Sequence, residues 1–307
     1  MNTEISRGSQ GSSHWSIKRA FNWTRDYLEE KGDEQARLST EWLLADACNL
    51  SRIEVYTQFD KPLSPDERSK LREAVRRRAA GEPLQYITGS VGFRHLNIEV
   101  RSGVLIPRPE TEVLVDLALK ALPAAQEGEA REPLRVLDLC TGSGCIGLAI
   151  ADERPDTQVI ATDISPDAVE LANHNAALCH LTDRFTAHVG DLFKAEGVDS
   201  AAGNERFDLI VSNPPYIPAA GMDILPREVA DFEPKLALAG GEDGLDIARS
   251  ILERAPSYLK KSSQMILELD ARNVHAAADF AVSLNTYNSV EIACDLTGRE
   301  RFVLVEA

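Results

Sequence analysis

Val136-Leu137-Asp138-Leu139-Cys140-Thr141-Gly142-Ser143-Gly144-Cys145-Ile146-Gly147 decides how this chain folds. An apolar run of strand type passes into a glycine turn and then into a helix from Cys145 to about Ala151. Gly142 and Gly144 let the backbone turn sharply and approach a ligand closely. The helix start offers unpaired N–H groups and partial positive charge. A second strand follows, Gln158-Val159-Ile160-Ala161-Thr162-Asp163, and ends in an acid. Asp163 lies about 20 residues beyond the glycines, where a carboxylate can take both hydroxyls of a ribose.

From Leu134 onward, strand and helix patterns alternate, as a doubly wound parallel sheet requires. Strands are expected to begin near Leu134, Gln158, Arg184, Phe207, Gln264, Ser289 and Arg301. Such sheets bind ligands at the carboxyl ends of their strands, near the switch point. The glycine turn follows the first strand, Asp163 ends the second, Gly190-Asp191-Leu192 follows the third and Asn213 follows the fourth. All four therefore open on one edge.

Asn213-Pro214-Pro215-Tyr216 carries the chemistry. Two prolines fix two φ angles, remove two backbone donors and bias Asn213 toward an extended conformation. The result is a stiff loop with free carbonyls, an amide oxygen on Asn213 and a flat ring on Tyr216. A planar –NH2 group fits it: two acceptors for two hydrogens, and a ring for its plane. Asn213, Pro214, Pro215 and Tyr216 are the candidate substrate residues, with Asn213, Pro214 and Tyr216 acting in catalysis.

Gly142, Gly144 and Gly147 also satisfy the dinucleotide fingerprint G-x-G-x-x-G. Two features oppose a dinucleotide. Asp138 ends the first strand, where a negative charge would face a pyrophosphate but suits a cation. Nothing in hydride transfer calls for Asn-Pro-Pro-Tyr. S-adenosyl-L-methionine, with an adenosine, a sulfonium, an ammonium and no phosphate, fits better. Cys140, Thr141, Gly142, Ser143 and Gly144 would cradle its methionine part, and Asp163 its ribose. Asp191 would accept from the adenine amino group while Leu192 packs on the ring. Asp138 is expected to face the ammonium, and Asn213 to border the cofactor.

Upstream, about residues 15–80 read as a helical bundle, with apolar spacings of three and four over Trp23–Glu30, Gln35–Cys48 and Arg52–Phe59. Ser64 as N-cap, Pro65, Glu67 and Gly81 punctuate a last helix. Residues 84–106 change period and read as a β-hairpin linker, and Glu110–Leu122 as an amphipathic helix. The first fourteen residues are polar, read as a disordered tail and do not have the form of a signal peptide. Ala124–Pro133 reads as a polar loop.

At 307 residues and 43% hydrophobic, the chain can bury one α/β core and a smaller domain. No apolar run approaches the ~18–20 residues that span a bilayer. Five cysteines without a C-x-x-C pair read as reduced thiols of a cytoplasmic protein, with Cys140 and Cys145 as small packing residues. Six histidines form no ligand constellation, so no metal is expected. A net charge of −16 opposes a nucleic-acid surface. The only dense basic run, Arg72 to Arg78, reads as a solvated helix face, with a local partner patch as the alternative.

Together these residues resemble the class I methyltransferases that act on planar amino groups. Within them, several segments are similar to the PrmC/HemK family: Gly81-Glu82-Pro83-Leu84-Gln85-Tyr86-Ile87-Thr88-Gly89, the strap Val104–Glu112 with Pro107-Arg108-Pro109-Glu110-Thr111-Glu112, Phe232–Leu238, Gly240–Leu245 and Asp295–Arg301. One segment departs: Glu268-Leu269-Asp270-Ala271-Arg272-Asn273 has Asp270 where the family pattern has glycine and Asn273 where it has glutamine. The resemblance implies an α/β fold, the class I methyltransferase doubly wound seven-stranded sheet with its last strand antiparallel, preceded by a small N-terminal helical bundle. It implies methylation of the glutamine side-chain nitrogen in the Gly-Gly-Gln motif of class I peptide-chain release factors. The expected layout is a tail at 1–14, a helical substrate-recognition domain at 15–83, the hairpin linker at 84–106 and the methyltransferase domain at 107–307, in a monomer. The bundle could instead serve only stability, and the strap could be a closing lid or a structural tie. Rival readings are a ribosomal-protein glutamine methyltransferase, a nucleic-acid adenine-N6 methyltransferase and a non-catalytic cofactor binder.

Overall fold

The computed structural model describes residues 15–124, 132–198 and 206–307. The expected tail at 1–14 and most of the polar loop at 124–133 lie outside the described residues. Two compact units divide the chain, Met1–Thr88 and Gly89–Ala307.

The first unit is helical: α1 (Ile17–Glu30), α2 (Ala36–Cys48), α3 (Arg52–Thr57), α4 (Pro65–Ala79) and α5 (Leu84–Thr88). α1 begins at Ile17 rather than Trp23, because the Ser16 hydroxyl caps it by accepting from the Arg19 N–H. Ser51 with Glu54, and Ser64 with Glu67, form complete capping boxes for α3 and α4. Ile17, Leu28, Leu43, Leu44 and Val55 are fully buried at the centre of this unit. The basic run of α4 is neither a bare solvated face nor a free patch. Arg76 pairs with Glu73, Arg77 with Glu82 and Arg78 with Asp33.

The second unit contains β1 (Ser90–Phe93), β2 (Leu96–Glu99), α6 (Thr111–Ala121), β3 (Leu134–Leu139), α7 (Cys145–Glu153), β4 (Thr157–Asp163), α8 (Pro166–Leu178), β5 (Phe185–Val189), β6 (Phe207–Ser212), α9 (Arg227–Phe232), α10 (Asp246–Arg254), β7 (Leu259–Glu268), α11 (Val274–Ser283), β8 (Ser289–Cys294) and β9 (Glu300–Glu306). Seven strands form one sheet in the order β5-β4-β3-β6-β7-β9-β8. β5 to β7 run parallel, and β9 is antiparallel to both its neighbours. This is the doubly wound class I methyltransferase sheet. β7 starts at Leu259, earlier than the apolar pattern predicts, and a register shift opposite Phe207/Leu209 absorbs the extra length. Leu139 pairs with Thr162 on one side and Ser212 on the other, so the ends of three adjacent strands are level.

The segment expected as a hairpin linker, 84–106, divides between the units. Leu84 and Ile87 pack on the helical core and Tyr86 is buried, so Leu84–Thr88 is a helical turn of the first unit. Pro83 sets that turn by starting it, its carbonyl accepting from the Tyr86 and Ile87 N–H groups. The hairpin β1–β2 is no free linker but is fastened to the sheet unit. At its turn, Arg94 forks to Glu153 and to Asp116. On β2, the fully buried Asn175 of α8 accepts from the Glu99 N–H at 2.9 Å and donates to the Glu99 carbonyl at 3.1 Å. The same amide donates to the Ser143 carbonyl of the glycine turn at 2.9 Å. Asn175→Ala strands buried groups on both segments and is expected to lower the unfolding free energy by about 2–4 kcal/mol in denaturant titration. A loss below about 1 kcal/mol, the worth of one ordinary hydrogen bond, would mean that water replaces the amide.

Candidate active site

The glycine turn is held from below by a buried acid. Asp138 is fully buried; its Oδ2 accepts from the Thr141 hydroxyl at 2.6 Å and the Gly147 N–H at 3.1 Å. Burial pushes this carboxyl up to about 7, against the pull of those two hydrogen bonds. Asp138 does not line the cavity above, so the expectation that it faces a ligand ammonium is corrected: its role is to pin the turn to α7. Gly147 is part of the same device. A Cβ there would lie 2.8 Å from the Phe185 ring and 3.0 Å from the Asp138 carboxylate. Cys140 adopts φ +58° and Gly142 +56°, and both line the cavity. For Cys140 this left-handed backbone is a strained conformation. Burial raises both thiols, Cys145 to about 12, so they are neutral packing groups.

Asp163 closes the turn from the neighbouring strand. Its Oδ2 accepts from the Gly142 N–H and its Oδ1 from the Ser165 N–H, each at 2.9 Å. Burial raises its pKa, partly offset by these backbone donors. A loop N–H that could meet a phosphate in a dinucleotide site is thus already bonded to a carboxylate. Asp163 and Asp191 line the cavity, with Arg108 the only cation among its described lining residues. That pair of acceptor carboxylates suits a cationic, phosphate-free ligand with a ribose. Leu192 is buried against the cavity with φ +56°, and its carbonyl accepts from the Thr162 hydroxyl. Asp191 is exposed and sits 3.3 Å from the Lys194 ammonium. Thr141, Ser143 and Ile164 complete this wall.

Asn213 follows β6, whose last residue Ser212 is anchored by its hydroxyl to the Leu139 carbonyl at 2.7 Å. Asn213 lines this cavity and also a second one that opens beside it. Pro215 lines the first cavity and Tyr216 the second. Pro214 is buried and lines neither, and its carbonyl accepts no hydrogen bond from the described residues. Burial pushes the Tyr216 hydroxyl up to about 12, so the ring is neutral. The loop is shaped from behind by Gly240–Gly244. The Ile217 N–H donates to the Leu238 carbonyl and the Ile217 carbonyl accepts from the Gly240 N–H, each at 2.9 Å, and a Cβ on Gly240 would lie 2.8 Å from the Pro215 carbonyl.

Several residues of the site lie in the strap and in the Glu268–Asn273 segment, and no local sequence signal pairs them with their partners. Arg108 of the strap places its Nη2 2.6 Å from both carboxylate oxygens of the buried Glu233 and lines both cavities. Burial raises the Glu233 pKa and Arg108 opposes the rise. The Asn213 amide donates to Thr111, 102 positions earlier, at 3.2 Å. Glu268 is buried in the wall of the second cavity, pushed up to about 7 by burial. Asn273 donates to the Tyr216 carbonyl at 2.9 Å. The local departure around Asp270 is accommodated. Asp270 is not in a left-handed conformation, and its carboxylate accepts from the Arg272 N–H to form the turn before α11.

The PrmC N-terminal domain family matches residues 19–89, and the methyltransferase small domain family matches residues 114–227. A release factor glutamine methyltransferase of Geobacter sulfurreducens is 47% identical over 83% of this chain and 84% of its own. Another, from Rhodopirellula baltica, is 39% identical over 95% of this chain and 96% of its own. Among solved structures, a methyltransferase from Pyrococcus furiosus matches with a TM-score of 0.48 at 20% identity, covering 69% of this chain and 89% of that one. Identity of 39% across nearly the full length of both chains runs through both units, and with it the chain belongs to the release factor glutamine methyltransferase family.

Proposed function

We propose that the protein methylates the side-chain amide nitrogen of the glutamine in the Gly-Gly-Gln motif of class I release factors, using S-adenosyl-L-methionine. The observation that carries this reading is Asn213 standing where two cavities meet. One has the acids and glycine turn suited to the cofactor; the other is open to a peptide side chain. Bound in the first, S-adenosyl-L-methionine supplies a methyl group on a positively charged sulfur. Cys140, Thr141, Gly142 and Ser143 form its cradle, with Gly144 behind them turning the backbone into α7; Asp163 takes the ribose hydroxyls, and Asp191 and Leu192 flank the adenine.

On the acceptor side, the Asn213 amide oxygen and the Pro214 carbonyl each accept one hydrogen of the glutamine –NH2. Pro215 keeps the loop rigid, and Tyr216 lies against the amide plane. An amide nitrogen is a weak nucleophile, so orientation dominates: fixing two bound reactants supplies ~7–11 kcal/mol. No strong base is required before the bond forms, because the amide proton becomes acidic only afterwards. The paired state of Arg76, Arg77 and Arg78 weighs against the nucleic-acid reading, as does the net charge of −16. A cytoplasmic monomer is the accompanying reading, in keeping with the five free cysteines.

Transfer from radiolabelled S-adenosyl-L-methionine to purified release factor tests this directly, with a Gly-Gly-Ala variant of the factor as control. Label on the wild-type factor alone is expected; label on neither sinks the substrate assignment. Asn213→Ala should lower kcat by roughly 100-fold or more while cofactor affinity changes little. Near wild-type turnover would remove Asn213 from the acceptor site. Asp163→Ala should weaken cofactor binding by roughly 10–100-fold in calorimetry, the worth of charge-assisted hydrogen bonds. Unchanged affinity would take Asp163 out of the cofactor site.

A further inference from the structure

We infer that Arg301 is a substrate-contact residue whose Nη groups hold main-chain carbonyl oxygens of the acceptor peptide beside its glutamine, and that Asp295 is its positioning residue. The inference rests on the glutamine-methylation reading above. Arg301 lies on β9 and lines the second cavity together with Asn213 and Tyr216. Its Nε donates to Asp295 Oδ2 at 2.7 Å, with the two side chains 15% and 2% exposed. Among the described residues its Nη1 and Nη2 have no hydrogen-bond partner. The N–H donors of a mostly buried guanidinium are therefore left to the cavity.

The turn between β8 and β9 is built around that one ion pair. Asp295 Oδ1 accepts from the Thr297 N–H at 2.8 Å, the Thr297 hydroxyl at 2.6 Å and the Arg299 N–H at 3.0 Å. The Asp295 N–H donates to the Arg299 carbonyl at 2.8 Å, and its carbonyl accepts from the Gly298 N–H at 3.0 Å. One carboxylate oxygen thus belongs to the turn and the other to Nε, which sets the direction of the guanidinium. The Arg301 carbonyl accepts from the Leu269 N–H at 2.8 Å, just past the end of β7. Asn273, in the same segment as Leu269, donates to the Tyr216 carbonyl at 2.9 Å. The arginine and the acceptor loop are therefore both fastened to one short segment.

The other charges of the cavity select the ligand. Arg108 is paired with Glu233, and Arg272 with Asp270. Glu110 and Glu268 also line the cavity and form no ion pair among the described residues. A carboxylate or phosphate entering there would be repelled by these acids. A neutral carbonyl oxygen meets no such repulsion and gains a charge-assisted hydrogen bond. Peptide carbonyls are such acceptors, and glycine leaves them unshielded because it carries no Cβ. Arg301 therefore reads the glycines that precede the acceptor glutamine by their bare main chain.

The test is steady-state methylation of release factor by the full-length protein, with calorimetric cofactor affinity and melting temperature for each variant. Arg301→Met, which keeps an apolar stem and removes the donors, should raise KM for the release factor roughly 10–100-fold, the worth of a charge-assisted hydrogen bond. Both kcat and cofactor affinity should stay unchanged. The KM ratio should hold at low and high salt, because the partner is neutral. A ratio that collapses in high salt assigns a charged partner and overturns the main-chain contact. Asp295→Asn keeps one oxygen for the turn and points an –NH2 at Nε, so KM should rise there too. With Arg301→Met already present it should rise no further. Additive effects, or a lowered melting temperature with wild-type KM, overturn the positioning role of Asp295. Wild-type KM in Arg301→Met, or a loss in kcat alone, overturns the inference. If the methionine variant does not fold, Arg301→Lys decides, since it keeps the charge and loses the planar fork, and wild-type KM in it overturns the inference. An active wild type with unimpaired variants sinks this inference alone; an inactive wild type sinks the glutamine reading and this one with it.

Discussion

The buried carboxylate of Asp138 is the fixed point of this molecule. It sits inside the sheet unit and gathers two donors, the Thr141 hydroxyl and the Gly147 N–H, from the two sides of one turn. Those bonds join the end of β3 to the first turn of α7. Everything above them inherits that position: the left-handed Cys140, the Gly142 N–H held by Asp163, and the Ser143 carbonyl held by Asn175. Through Asn175 the same turn fixes the β1–β2 hairpin. A buried acid that is fully surrounded by protein therefore works as a rivet, and the acid that lines the cavity is Asp163, at the end of the neighbouring strand.

Level strand ends turn that rivet into a site. Because Leu139, Thr162 and Ser212 are in register, the glycine turn, Asp163 and Asn213 leave the sheet side by side. The parallel sheet supplies this alignment, and the bond from the Gly142 N–H to Asp163 tightens it. The strap then adds a long-range tie, Arg108 to Glu233, which spans the edge from one cavity to the other. Two oppositely charged partners with the acid buried make the tie geometrically specific.

What could be read in the sequence was the part written in contiguous residues. The glycine turn, Asp163 at a strand end, Gly190-Asp191-Leu192 and Asn213-Pro214-Pro215-Tyr216 each carry their own backbone chemistry, and the sheet gathers them on one edge. The capping box at Ser64 likewise acts within four residues. Partners far apart in the chain were not legible. Thr111 and Asn213 are 102 positions apart, Arg108 and Glu233 125, Asn273 and Tyr216 57. Nothing in local periodicity announces such pairs. Asp138 misled for a related reason: a strand-end acid next to a glycine turn looks ligand-facing, and only the packing of α7 shows that it is roofed over. Residues 84–88 misled because a helical turn of five residues is too short to display a period.

The Asn213–Tyr216 loop has its form dictated by the absence of side chains behind it. Gly240 and Gly244 lie so close to the Pro215 and Tyr216 backbone that any added carbon would collide with it. That wall cannot be retuned by substitution without displacing the loop itself. Any redesign toward a different planar amine must therefore work from other residues that line the second cavity, such as Leu225 and Val229. The backing of the loop and the rest of that cavity's lining are thus set by different residues, and the second can change while the first stays fixed.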